Sequence, residues 1–228
     1  MSTAAAITKI ASPYPGLRPF EPHEAEIFFG RGEQIDRMLS RLEEHRFLAV
    51  VGASGCGKSS LVRAGLLPAL QHGFLKGGAT HWRFVIMRPA GAPFIQLAQA
   101  FHDALEGSPP LPEDVAFTEA TLRRSPRGLI DAIAESAHQA GTHYLLLVDQ
   151  FEEIFRFRYR KESDQSTDAG RTVYDERNDA TAFVNLLLAT AKQAEFPVYV
   201  VITMRSDFTG DCDAFRGLPQ AINESQFL

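Results

Sequence analysis

The sequence predicts an α/β fold, a mostly parallel sheet with helices on both faces. Three observations predict it. Phe47–Val51, Tyr144–Val148 and Val198–Met204 are short runs, apolar throughout or nearly so, as strands buried on both faces require. Stretches with apolar residues at helical spacing lie between these runs. The first run passes directly into a glycine-rich turn and then a helical pattern, a strand–turn–helix unit.

Taken in order, residues 1–12 are small and polar, and disorder is expected there. Pro13 to Phe20 carries three prolines in eight residues, so it should run extended across the domain, anchored by Tyr14, Leu17 and Phe20. Glu21–Glu26 reads as a short turn or helix. Ile27 to Arg31 then leads into a helical pattern on Ile35, Met38, Leu39 and Leu42. Residues 13–46 thus form an extension with one helix, ahead of a core spanning 47–228. Leu61, Val62, Leu66, Leu67 and Leu70 have helical spacing, and Trp82–Met87 is a second strand. Pro93–Leu105 is helical, residues 107–112 are a loop, and Val115–Ala140 continues in helical text. Residues 157–178 are polar and charged, the composition of a mobile loop. Asp179–Ala194 is a helix, and Cys212–Ile222 a final short one.

With 228 residues, 45% hydrophobic and 22% charged, the chain suits one large domain or one domain with appendages. A net charge of -5 and an isoelectric point near 5.8 supply no electrostatic footprint for nucleic acid, which is not expected as a partner. No window approaches the roughly 18 apolar residues of a membrane helix, and no secretory leader is visible, so a cytoplasmic protein without a membrane partner is expected. Two cysteines, Cys56 and Cys212, cannot make a zinc site by themselves.

The turn after the first strand is Gly52-Ala53-Ser54-Gly55-Cys56-Gly57-Lys58-Ser59, a full match to G-x-x-x-x-G-K-[ST]. Its backbone N–H groups, through Ser60, are expected to curl around phosphates at a helix N-terminus. Lys58 would reach the β- and γ-phosphates, and the Ser59 hydroxyl would sit on Mg²⁺. Asp149, at the carboxyl end of the Tyr144–Val148 run, is where an α/β sheet places its ligand site, and it becomes the second metal-holding residue. Glu152 and Glu153 follow within one turn; Glu153 is favoured as the base that activates water, with Glu152 as the alternative. Arg205, ending the Val198–Met204 run, either faces the γ-phosphate or pairs locally with Asp207 or Asp149. Gly30 and Arg31 read locally as no more than a helix-opening turn.

The ordered blocks SPYPGLRPF, FFGR-x-EQID, FLAVVGASGCGKSSLVRAGLLPAL, LLLVDQFEEIF and VITMRSDF resemble the STAND-class NTPases, and more narrowly the novel STAND NTPase family. The resemblance runs from about Ser12 to the end of the chain. It implies a three-layer, ASCE-type P-loop core related to NACHT and AAA+ ATPases, using ATP or ADP with Mg²⁺. It assigns Gly30 and Arg31 to the adenine and ribose side and reads Arg205 as a sensor arginine. Gly32 stands where the family more often has an acidic residue. It also implies a slowly hydrolysing ATPase acting as a signalling switch in bacterial defence or stress. The rivals are a motor-like AAA+ ATPase and a truncated nucleotide-binding module without turnover. Relatives continue beyond the sensor strand into sensor and repeat domains. The chain is therefore expected to be truncated, to lack the fifth strand of its sheet, and to self-associate or pair with missing C-terminal domains. On that expectation the P-loop strand becomes an exposed edge.

Overall fold

The computed structural model describes residues 16, 18–76, 79–106, 110–136, 141–159 and 173–227. Its centre is a parallel sheet of β1 (Phe47–Gly52), β2 (Trp82–Met87), β3 (His143–Val148), β4 (Val198–Arg205) and β5 (Gln226–Phe227). The spatial order is β2-β3-β4-β1-β5. Residue parity along the strands builds the layers, because successive side chains point to opposite faces. Phe47, Ala49, Val51, Tyr144, Leu146, Val148, Val200 and Ile202 enter one apolar cluster, whereas Leu48, Val50, Leu145, Leu147, Tyr199 and Val201 enter a second on the other face. With both faces covered, the strands need no polar stripe, which is why they read as unbroken apolar runs.

The first cluster is closed by α4 (Pro93–Glu106), α5 (Pro112–Arg124), α6 (Gly128–Glu135) and α7 (Val173–Lys192). The second is closed by α1 (Gly32–His45) and the helical run after β1. That run comprises α2 (Lys58–Ser60), a π segment over Leu61–Leu66 and α3 (Leu67–Gln71). No helix among the described residues is long and apolar enough to cross a membrane.

The α/β class and the parallel sheet hold, but the expected loss of the fifth strand is corrected. After α8 (Leu218–Ser225) the chain turns into β5 and pairs parallel with β1, Ala49 against Gln226 and Val50 against Phe227. Phe227 is buried in the second cluster beside Val50, a burial worth roughly 2 kcal/mol. β1 is therefore flanked on both sides, by β4 and β5, and is not an edge.

Two boundaries also move. The Val115–Ala140 stretch is two helices, broken where Ser125 adopts an extended backbone. Helix α7 starts at Val173 and residues 157–159 belong to a 3₁₀ run over Phe151–Tyr159, so the expected 157–178 loop is shorter. Its remainder, and residues 1–12, lie outside the described residues. After Val173 and Tyr174 the polar run Asp175-Glu176-Arg177-Asn178-Asp179 carries no apolar period, which hid the start of α7; among the described side chains its buried face includes Ala180 and Phe183.

The α5–α6 junction depends on a missing side chain. A Cβ on Gly128 would lie 2.4 Å from the Leu122 carbonyl oxygen and 2.6 Å from that of Thr121. Backbone cannot rotate aside as a side chain can, so Gly128→Ala is expected to destabilise the protein by about 3 kcal/mol, read as a lowered urea midpoint.

Candidate nucleotide-binding site

The sheet's carboxyl edge holds the chemistry. β1 ends at Gly52, and the loop turns into its helix at Gly57, whose φ of 90° lies in the left-handed region that glycine adopts without penalty. Lys58 Nζ donates to the Gly52 carbonyl (3.0 Å) and the Ala53 carbonyl (2.8 Å), so the ammonium lies curled over its own loop. Ser54, Gly55, Gly57, Lys58, Ser59 and Ser60 line a cleft of about 920 Å³. Ala53 and Cys56 are exposed on the loop, and both cysteines are free thiols.

Parity brings three strand ends to the same face as the P-loop helix. Arg88 follows Trp82, Phe84 and Ile86; Asp149 follows Leu145 and Leu147; Thr203 follows Tyr199 and Val201. Asp149 is fully buried and its carboxylate is saturated. Ser59 Oγ donates to Asp149 Oδ1 at 2.6 Å, and Thr203 Oγ1 donates to the same oxygen at 2.7 Å. Arg63 Nη2 donates to Oδ2 at 3.3 Å, and Arg88 Nη2 lies 3.5 Å from it. Gln150, next in the chain, has a left-handed backbone (φ 57°) and donates its N–H to Thr203 Oγ1 at 3.0 Å. A strained residue directly after the buried acid pins the β3 end to β4.

The two glutamates separate. Glu152 lines the cleft, where its carboxylate accepts from the Arg205 N–H at 3.4 Å. Burial pushes the Glu152 pKa above the usual carboxylate range, and the Arg205 N–H, Lys58 and Arg205 pull only partly against that. Glu153 points elsewhere: its carboxylate accepts from the Ala90 N–H at 2.8 Å, in the turn after β2. Arg205 also lines the cleft while its guanidinium bonds Asp207 and lies 5.4 Å from the Phe208 ring centroid.

The N-terminal extension forms one wall. Gly16, Arg18, Pro19 and Phe20 line the cleft, and the Phe20 N–H donates to Ser60 Oγ at 3.1 Å. Arg18 grips Glu24 through two 2.6 Å hydrogen bonds, which, with the Glu21 N–H, hold the Glu24 carboxyl down at about 2. Glu21 accepts from Arg63 Nη1 at 3.0 Å, tying the extension to the same arginine that meets Asp149. Gly30 and Arg31 are exposed at the start of α1 and do not line this cleft. Their segment is seated by Phe28 and Ile35 close against Gly65, where a Cβ would meet Ile35 Cδ1 at 3.0 Å.

Sequence reasoning missed Arg63, Arg88 and Thr203. A signal existed for two of them. Arg88 ends a strand as Arg205 does, and Thr203 shares the parity of Arg205 on the same strand.

A parallel sheet in the order 2-3-4-1-5, a P-loop after β1 and a buried aspartate on the serine of that loop define a P-loop NTPase. The sequence profile of the novel STAND NTPase 1 family matches residues 13–228. The chain belongs to that family. Comparison with curated proteins returns no match. Among solved structures, a chain of the Escherichia coli MS115-1 HORMA:CdnC:Trip13 complex is similar at 16% identity and TM-score 0.49, covering 92% of this chain and 66% of that one. The Aeropyrum pernix ORC2 protein (ADPNP–ADP complexes) is similar at 14% identity and TM-score 0.48, covering 94% of this chain and 50% of that one. The chain thus spans about two thirds and one half of the lengths of these two proteins.

Proposed function

We propose that the chain is an ATP-binding module that hydrolyses ATP slowly and works as a signalling switch, with ATP and ADP favouring different states. The observation that carries the reading is the 2.6 Å bond from Ser59 Oγ to the buried Asp149 carboxylate, in the cleft lined by Lys58. Phosphates would be held by Lys58 and the N–H groups of residues 52–60, with Arg205 facing the same cleft. Gly30 and Arg31 would lie towards the base and ribose. Hydroxyl and carboxylate oxygens converging at one point suit Mg²⁺, a hard cation, and Ser59 and Asp149 are the residues that would hold it. Bound there, Mg²⁺ supplies charge neutralisation on the phosphate oxygens.

Glu152 is the better base, because it lines the cleft whereas the Glu153 carboxylate is engaged by Ala90. Glu152→Gln is expected to keep ATP affinity within about twofold and to slow hydrolysis at least about a hundredfold. Unchanged turnover would sink the assignment. Raised folded-state pKa means that the ionised base is lost early on acidification. Wild-type hydrolysis should therefore fall, as pH drops, at a higher pH than a solvated glutamate would give, and this limb should vanish from the residual Glu152→Gln rate. Equilibrium titration with Mg·ATP and Mg·ADP, alongside phosphate release, tests the whole reading. A purified chain that binds neither nucleotide would overturn it.

A further inference from the structure

We infer that Arg88 is a second phosphate-reading residue acting within the same chain, which distinguishes a nucleoside triphosphate from a diphosphate, and that Glu153 is its positioning residue. The inference rests on the nucleotide-binding reading above.

Arg88 sits at the end of β2, separated from β1 by two strands, and reaches Asp149 from the side opposite the P-loop. Two guanidinium groups share Asp149 Oδ2, and they are held very differently. Arg63 is 15% exposed and bonds both Glu21 oxygens, at 3.0 and 3.1 Å. Arg88 is 44% exposed, lies 3.5 Å from Asp149, and lines the cleft together with Lys58 and Arg205. With a cation held at the Asp149 carboxylate both arginines would be repelled, and the weakly held, solvent-facing Arg88 is the one that could leave. A phosphate chain bound in the cleft that Arg88 already lines would offer it another anion. A guanidinium offers phosphate a forked pair of donors, so the exchange replaces one long contact with charge-assisted hydrogen bonds. Lys58 and Arg205 begin from shorter hydrogen bonds, on carbonyl oxygens and on Asp207 respectively.

Glu153 sets where Arg88 starts. Ala90 has a left-handed backbone (φ 45°), followed by Gly91 at φ 80°, and the Ala90 N–H is bound by Glu153 Oε2. A non-glycine residue in that region needs outside support, and the Glu153 carboxylate provides it two residues beyond Arg88.

The test is calorimetric titration of the full chain with Mg·ATPγS and with Mg·ADP. Arg88→Ala is expected to weaken ATPγS binding about tenfold or more while ADP affinity stays within about twofold. Arg88→Lys, which keeps the charge without the fork, should lose about threefold and guards against a folding defect in the alanine variant. Glu153→Ala should show part of the same selective loss, and Glu153→Gln should restore it, because the amide oxygen can still accept from Ala90. Equal loss of both nucleotides, or no loss of either, in Arg88→Ala would overturn the inference while leaving the nucleotide site standing. Wild-type protein that binds neither nucleotide would overturn both.

Discussion

Lys58→Ala is expected to weaken ATP binding about a hundredfold or more and to leave the fold intact. Lys58 Nζ donates to the Gly52 and Ala53 carbonyls, contacts made within its own loop at a half-buried position. Such bonds stabilise the folded chain by about 1 kcal/mol at most, since water replaces them readily. On phosphate the same ammonium makes charge-assisted bonds in a walled cleft, and truncating one partner of such a pair costs about 3 kcal/mol, or roughly a hundredfold in affinity. The two effects are measured separately. Titration with Mg·ATP should show the loss, and the melting temperature without nucleotide should move by no more than about 4 °C. A large fall in melting temperature would mean that Lys58 holds the loop together and that the binding defect is indirect.

The second large effect is of the opposite kind. Asp149→Ala is expected to destabilise the protein by about 3 kcal/mol as well as to abolish hydrolysis. The carboxylate is fully buried and accepts from Ser59, Thr203 and Arg63, with Arg88 alongside. Removing it takes an acceptor from Ser59, Thr203 and Arg63 at once and leaves the Arg63 charge, 15% exposed, with Glu21 as its remaining ion-pair partner among the described residues and its Nε without a hydrogen-bond partner there. Arg88 contributes little to the loss because its exposure lets water screen it. Asp149→Asn keeps the shape and one acceptor oxygen, so it should recover part of the stability and none of the turnover. Urea denaturation at neutral pH reads the difference; an Asp149→Ala midpoint equal to wild type would show that the arginines find other partners.

What was legible from sequence follows the range of the interactions. The P-loop is contiguous, and Asp149 ends an unbroken apolar strand, so both could be read directly, as could the parallel sheet. Arg88 could be read only as a strand-end arginine, because its pairing lies in a 3.5 Å approach to a residue 61 positions away, across a sheet whose order had first to be known. The two glutamates are neighbours of identical chemistry, and a 3₁₀ turn sends one into the cleft and the other to Ala90. β5 was missed because two residues cannot display a period; only their pairing with Ala49 and Val50 makes them a strand. The π segment over Leu61–Leu66, which carries Arg63, is likewise invisible to a 3.6-residue pattern.

The Phe20–Ser60 bond carries a consequence of another kind. Residues 16 and 18–20 and the phosphate loop are two sides of one cleft, joined at Ser60 and again through Glu21 and Arg63. Attachment of the N-terminal extension and occupation of the cleft are therefore conjugate quantities. Whatever factor the attached extension adds to nucleotide affinity, the nucleotide returns in full as retention of the extension. A force or competitor that detached residues 18–21 would weaken nucleotide binding by that same factor, which makes the N-terminal side of the cleft a second place from which the site is read.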